Sequence, residues 1–101
     1  MKLVQILLPT RDNRGHKFKN IIFGRIRKEL VSRFGGLTAY SRSPARGVWK
    51  SGDSTKLDDI VVVEVMTEEF KRNWWKKYRR KLERWLRQDE IVMRVQDINI
   101  I

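Results

Sequence analysis

Ile60-Val61-Val62-Val63-Glu64-Val65-Met66 is the stretch on which the fold turns. It is short, β-branched and nearly free of polar residues, the composition of a central strand. Asp58-Asp59 stands at its entry, so the strand is expected over Asp58–Met66. Thr67 follows as a possible helix cap, with Glu68 and Glu69 where a helix dipole favours negative charge. A helix is therefore expected next, running to Gln88, and Ile91 to Ile101 then reads as a closing strand.

Towards the N-terminus the same order is met once more. Lys2 to Leu8 alternates as a strand, and Asp12-Asn13-Arg14-Gly15 carries strong turn chemistry. Phe18, Ile21, Ile22, Ile26, Leu30 and Phe34 recur at helical spacing, and Gly35-Gly36 supplies a stop. Leu37 to Tyr40 reads as a second strand, and Ser41 to Lys56 as a long polar connection holding Pro44, Gly47, Trp49 and Gly52. The order β-α-β-β-α-β predicts an α+β, ferredoxin-like domain spanning residues 1–101, with an antiparallel sheet and both helices on one face.

Two helices cover one sheet face, yet both faces of the inner strands are apolar. Val61, Val63 and Val65 alternate with Ile60, Val62, Glu64 and Met66, and Val4, Ile6 and Leu8 with Leu3, Gln5 and Leu7. A second copy is the simplest cover for the free face. The expectation is a homodimer packed through sheet faces, with a dimeric α/β barrel as one form; the alternative is a monomer whose sheet is exposed or loop-covered.

Composition narrows the function classes. The chain has 101 residues, 41% hydrophobic, with four Trp, one His and no Cys. That suffices for one core, and it excludes disulfides, thiolate metal sites, a cysteine nucleophile and paired-histidine chemistry. No cofactor or metal is expected. The Met1–Pro9 run is too short to span a bilayer and poor as a signal peptide, so no membrane association and a cytoplasmic location are expected. No phosphate-binding glycine fingerprint, nucleophile elbow or metal-ligand spacing appears.

The net charge of +11 exceeds the magnitude of roughly 2–8 usual for a small domain and points to an anionic partner, nucleic acid or an acidic protein. Phe70 to Gln88 holds nine Lys or Arg against Glu83 alone. On a helical wheel, Phe70, Trp74, Trp75, Tyr78, Leu82, Trp85 and Leu86 share an arc of about 160°. The complement carries Arg72, Lys76, Lys77, Arg79, Arg80, Arg84 and Arg87. The first helix adds Lys17, Lys19, Arg25, Arg27, Lys28 and Arg33 against Glu29, and the long connection adds Arg42, Arg46 and Lys50 beside Trp49. Such faces can hold a nucleic-acid backbone without reading sequence. The plain alternative is a solvated cationic surface, and on this reading the tryptophans belong to the core.

Glu64 stands on the apolar face predicted to point away from the helices. It is a candidate general acid or base, with Tyr40, Arg42 or His16 as partner, or simply a paired interface carboxylate. Whether the chain is an enzyme is left open at this level. The leading expectation is a non-enzymatic nucleic-acid- or polyanion-binding module. The alternatives are a dimeric-barrel small-molecule binder or enzyme around Glu64, and an assembly partner of an acidic protein.

Arg33-Phe34-Gly35-Gly36-Leu37-Thr38, followed by Gly47-Val48-Trp49, resembles the pattern of an uncharacterised bacterial family of small α+β proteins, the DUF3574-like family. That pattern is a Phe near a helix end, then Gly-Leu-Thr, then Gly-x-Trp. It covers about a sixth of the chain with specific residues. The resemblance implies a small α+β fold and no particular activity. The basic second helix is not part of it.

Overall fold

The computed structural model describes the backbone of residues 1–40, 46–51 and 54–101, and the side chains of 1–38 and 60–101. Seven elements follow in order: β1 (Lys2–Pro9), α1 (Asn20–Phe34), β2 (Thr38–Tyr40), β3 (Arg46–Ser51), β4 (Ser54–Thr67), α2 (Arg72–Trp85) and β5 (Met93–Asp97). The sheet runs β2-β4-β1-β5 with every pairing antiparallel, and β3 pairs only with the first half of β4. Each helix-bearing crossover steps over one strand: β1 to β2 across β4, and β4 to β5 across β1.

The register places Val4 opposite Val65 and Val95, and Ile6 opposite Val63 and Met93. These side chains line one sheet face. Val4, Ile6, Leu8, Val63 and Val65 are buried there against Ile26 and Leu30 of α1, and against Trp75, Tyr78, Leu82 and Leu86 around α2. Both helices thus share one face. Their apolar stripes recur every three or four residues, which is what seals a helix onto a sheet.

Three expectations need correction. The polar connection Ser41–Lys56 contains a hairpin: β3 pairs with the start of β4, from Arg46 opposite Asp59 to Ser51 opposite Ser54. Its strands lack apolar alternation, so periodicity could not find them, although Gly52-Asp53 is a hairpin dipeptide. Thr67 is not a helix cap. It pairs with Lys2 as the last residue of β4, its hydroxyl donates to the Glu69 carbonyl at 2.8 Å, and α2 starts only at Arg72 without a side-chain cap. The ladder claims that backbone before the helix can. The last strand is Met93–Asp97 rather than Ile91–Ile101, because Ile91 instead drops into the core beside Leu86. Glu83 holds it there by accepting the Ile91 N–H at 2.9 Å.

The stop at Gly35 is as expected. Its φ of 83° is left-handed and its N–H bonds the Val31 carbonyl at 2.8 Å. The Asp12–Gly15 turn also forms. The Asp12 carboxylate accepts the N–H groups of Arg14 and His16, each at 2.9 Å. Those bonds, the one from His16 foremost, hold the Asp12 carboxyl below the usual aspartate range.

Candidate polyanion interface

The helices lie antiparallel. Phe34 at the end of α1 meets Trp74 and Trp75 at the start of α2, with ring centroids 5.3 and 5.0 Å apart. Arg25 near the start of α1 lies 4.6 Å over the ring of Trp85 at the end of α2. Two helical stripes therefore face each other above the core. On α1 the stripe is Arg25, Lys28, Glu29 and Ser32; on α2 it is Trp74, Lys77, Tyr78, Lys81 and Arg84. Both follow the i, i+3, i+4, i+7 spacing that puts side chains on one helix face. They line a groove of about 840 Å³ on the outer surface.

Among the described residues, five cations and one acid line this groove. Lys81 Nζ bridges to both Glu29 oxygens, at 3.1 and 3.3 Å, tying the helices together, and Arg25 Nε stands 3.9 Å from the same carboxylate. The Tyr78 ring is buried, at 4% exposure, and its hydroxyl makes no hydrogen bond of good geometry, with Glu29 the acceptor within reach. Burial, and after it the Glu29 charge, push the Tyr78 pKa well above the ordinary tyrosine value.

Aromatic rings and cations alternate in and beside the groove, Trp74, Tyr78 and Lys81 lining it and Arg33 and Trp85 adjoining them. Arg33 sits 4.3 Å over Trp74, Trp74 stacks on Tyr78 at 5.0 Å and 12°, and Lys81 lies 4.6 Å over Trp85. The tryptophans of α2 all pack on the core, as expected, Trp74 and Trp85 from its edge. Trp75 is buried at 2%, but Trp74 and Trp85 are only half-buried and flank the cationic face.

The predicted cations are not brought together on one surface. Lys28, Lys77 and Arg84 meet in the groove. Arg72, Lys76 and Arg79 lie on the other flank of α2, around a smaller cleft of about 290 Å³ shared with Phe70, Val4 and β5. Arg80 is exposed on α2, and Arg27 is exposed on α1. Arg87, in the left-handed region at φ 49°, joins Asp12, Asn13, Arg14 and His16 beside the turn. Arg42 lies outside the described residues, as do the side chains of Arg46, Trp49 and Lys50. Lys81 and Tyr78 were missed as groove residues. The available signal was their spacing: both continue the stripe that begins at Trp74 and Lys77.

The sheet face away from the helices gathers the other candidates differently than expected. Glu64 is half-buried, and its partner is Gln5, whose amide donates to it at 2.7 Å. The register extends this pair into a polar row of Thr38, Glu64, Gln5 and Arg94 across the sheet. Apolar residues flank the row: Leu3 and Met66 on one side, Leu7 and Val62 on the other. Tyr40 is opposite Val62 in the ladder, and its side chain is outside the described residues. His16 plays no part at Glu64. It is exposed, 3.4 Å from the Asp12 carboxylate to which its turn belongs.

No helix is long and apolar enough to cross a membrane among the described residues. Comparison with protein-family models and with curated proteins finds no match. Among solved structures the chain is similar to a phage SAM lyase in complex with S-methyl-5′-thioadenosine. The TM-score is 0.57 at 14% identity, over 95% of this chain and 80% of that one. At that identity the likeness is one of fold.

Proposed function

We propose that this chain is a non-enzymatic polyanion-binding module whose groove between α1 and α2 takes a nucleic-acid backbone. The observation that carries the reading is the composition of the groove: Arg25, Lys28, Lys77, Lys81 and Arg84 converge from two facing helices against Glu29 alone. Cations on both banks neutralise phosphates by releasing condensed counterions, a term independent of sequence. Half-buried aromatics beside them are the combination that single strands use. The test is binding of labelled single- and double-stranded oligonucleotides of mixed sequence, read by fluorescence anisotropy against salt. Binding that weakens steeply with salt supports the reading. No binding at low salt overturns it, and capture of an acidic protein in its place would make the chain an assembly partner.

The strand order and paired crossovers support the ferredoxin-like plan, with β3 as an added hairpin strand. The free sheet face supports a homodimer. Met66 is 54% exposed opposite half-buried Leu3, and the polar row carries an acid, Glu64, and a cation, Arg94, on either side of Gln5. A second copy turned about a two-fold axis sets Glu64 of one against Arg94 of the other. The absence of cysteine fits a cytoplasmic site of action.

A second reading rests on that same face. The half-buried Glu64, oriented by Gln5 on an apolar sheet surface, has the chemistry of a general base or a hydroxyl-binding carboxylate in a small-molecule site between subunits. The fold likeness to a lyase holding a thioadenosine makes S-methyl-5′-thioadenosine the natural first probe. Binding by calorimetry that disappears in Glu64→Gln supports this reading, and no heat with the native protein removes it.

A further inference from the structure

Glu29, the single acid among the described residues of the groove, is the most closely attended group in it. Glu29 accepts two hydrogen bonds from Lys81, has the Arg25 guanidinium at 3.9 Å, and lies within electrostatic reach of the Tyr78 hydroxyl. Ammonium, guanidinium and phenol thus surround one anion. The phenol is the informative member. It is sealed from solvent and makes no hydrogen bond of good geometry; Glu29 is within reach of its proton, but that contact is the smallest of the influences on it. Buried hydroxyls are nearly always well partnered, and a phenylalanine would fill the same space without the cost of a poorly satisfied oxygen.

We propose that Lys81, Arg25 and Tyr78 form a seat for one phosphate of the bound polyanion, and that Glu29 occupies this seat in the free protein. The inference rests on the polyanion reading of the groove and gives it a defined contact. A carboxylate is planar, and here it satisfies the ammonium while meeting the phenol only at poor geometry. A phosphate is tetrahedral and presents acceptor lone pairs outside any one plane, so it can take the two cations and the phenol together. The Glu29 side chain, already 31% exposed, is then displaced to solvent, and its removal is an internal cost of binding.

The chemistry predicts opposite effects from two conservative changes. Glu29→Gln keeps size and shape but removes the competing charge. It tightens binding of a short labelled single strand about three- to fivefold, the worth of releasing a part-exposed ion pair. It also steepens the salt dependence by about one released ion, because Lys81 no longer carries its own counterion. Tyr78→Phe keeps the ring in the core and weakens binding about tenfold, the loss of a hydrogen bond to a charged acceptor. Glu69→Gln is the control: it changes net charge equally and frees exposed Lys71, 3.9 Å away, outside the groove. Melting curves of all three variants verify folding. If Glu29→Gln gains no more than Glu69→Gln, or if Tyr78→Phe binds as the native protein does, the seat is refuted while the groove reading stands. If neither the native protein nor any variant binds, the groove reading fails and takes the seat with it.

Discussion

The groove makes a quantitative demand on salt dependence. Replacing Lys77 and Arg84 together by alanine removes two of its five cations, one near each end of the α2 stripe. Neither is in the Glu29 ion-pair network, and Leu82 and Trp75 of the core are left in place. Glu29 cancels one cation in the native groove, leaving four to meet phosphates. For a single strand the logarithm of affinity falls with the logarithm of salt at about 0.7 per neutralised phosphate, a slope near 2.8. Raising salt from about 50 to about 200 mM then weakens native binding about 50-fold. The double variant has two effective cations, a slope near 1.4 and a loss of about sevenfold over the same range. Fluorescence anisotropy with one labelled strand at four or five salt concentrations measures both slopes. Arg72→Ala with Lys76→Ala, on the opposite flank, removes equal charge and should leave the slope near the native value. Equal slopes for the native protein and the groove variant would refute the assignment of binding to this groove. Equal flattening by both double variants would reduce the effect to net charge.

Other consequences are smaller and independent. Gly35→Ala places a side chain at φ 83° with no steric neighbour, so it costs only the left-handed strain, about 1–2 kcal/mol in a urea melt; an unchanged midpoint would mean the helix ends elsewhere. Tyr78 keeps its proton longer in the fold than unfolded, so its contribution is full below about pH 10 and is lost as pH rises beyond that. Ultraviolet titration should therefore show one of the two tyrosines ionising only with alkaline unfolding, and two tyrosines titrating together at ordinary pH would contradict its burial. Met66→Lys puts a charge into the free sheet face and should convert a dimer to a monomer by sedimentation. A native chain that sediments as a monomer at high concentration would remove the proposed dimer.

Much of the fold was legible because burial imposes periodicity. The alternation in Lys2–Leu8, the apolar run Ile60–Met66 and the helical spacing from Ile26 to Phe34 each repeat what a covered face requires. Gly35 marked its helix end because only one backbone conformation closes it. The β3 hairpin was illegible for the complementary reason. Its residues carry no repeating apolar pattern, and backbone pairing by itself leaves no composition signal. The start of α2 was misread because Thr67 suits a cap and a strand equally, and the partner that decided between them, Lys2, lies 65 positions away.

The sequence by itself determined the charge, the absence of cysteine chemistry, the order of the main elements and the two basic helices. It could count the cations of α1 and α2, but not sort them. Only the antiparallel packing of the helices decided that Arg25, Lys28, Lys77, Lys81 and Arg84 share a groove while Arg72, Lys76 and Arg79 turn to the other flank. The same packing set Glu29 among the cations and left the Tyr78 hydroxyl beside it without a hydrogen bond of good geometry. Helical spacing reports which residues share a face of one helix. Which two faces meet depends on how both helices sit on the sheet, and that follows from the register of β1 against β4 and β5, with partners tens of residues apart.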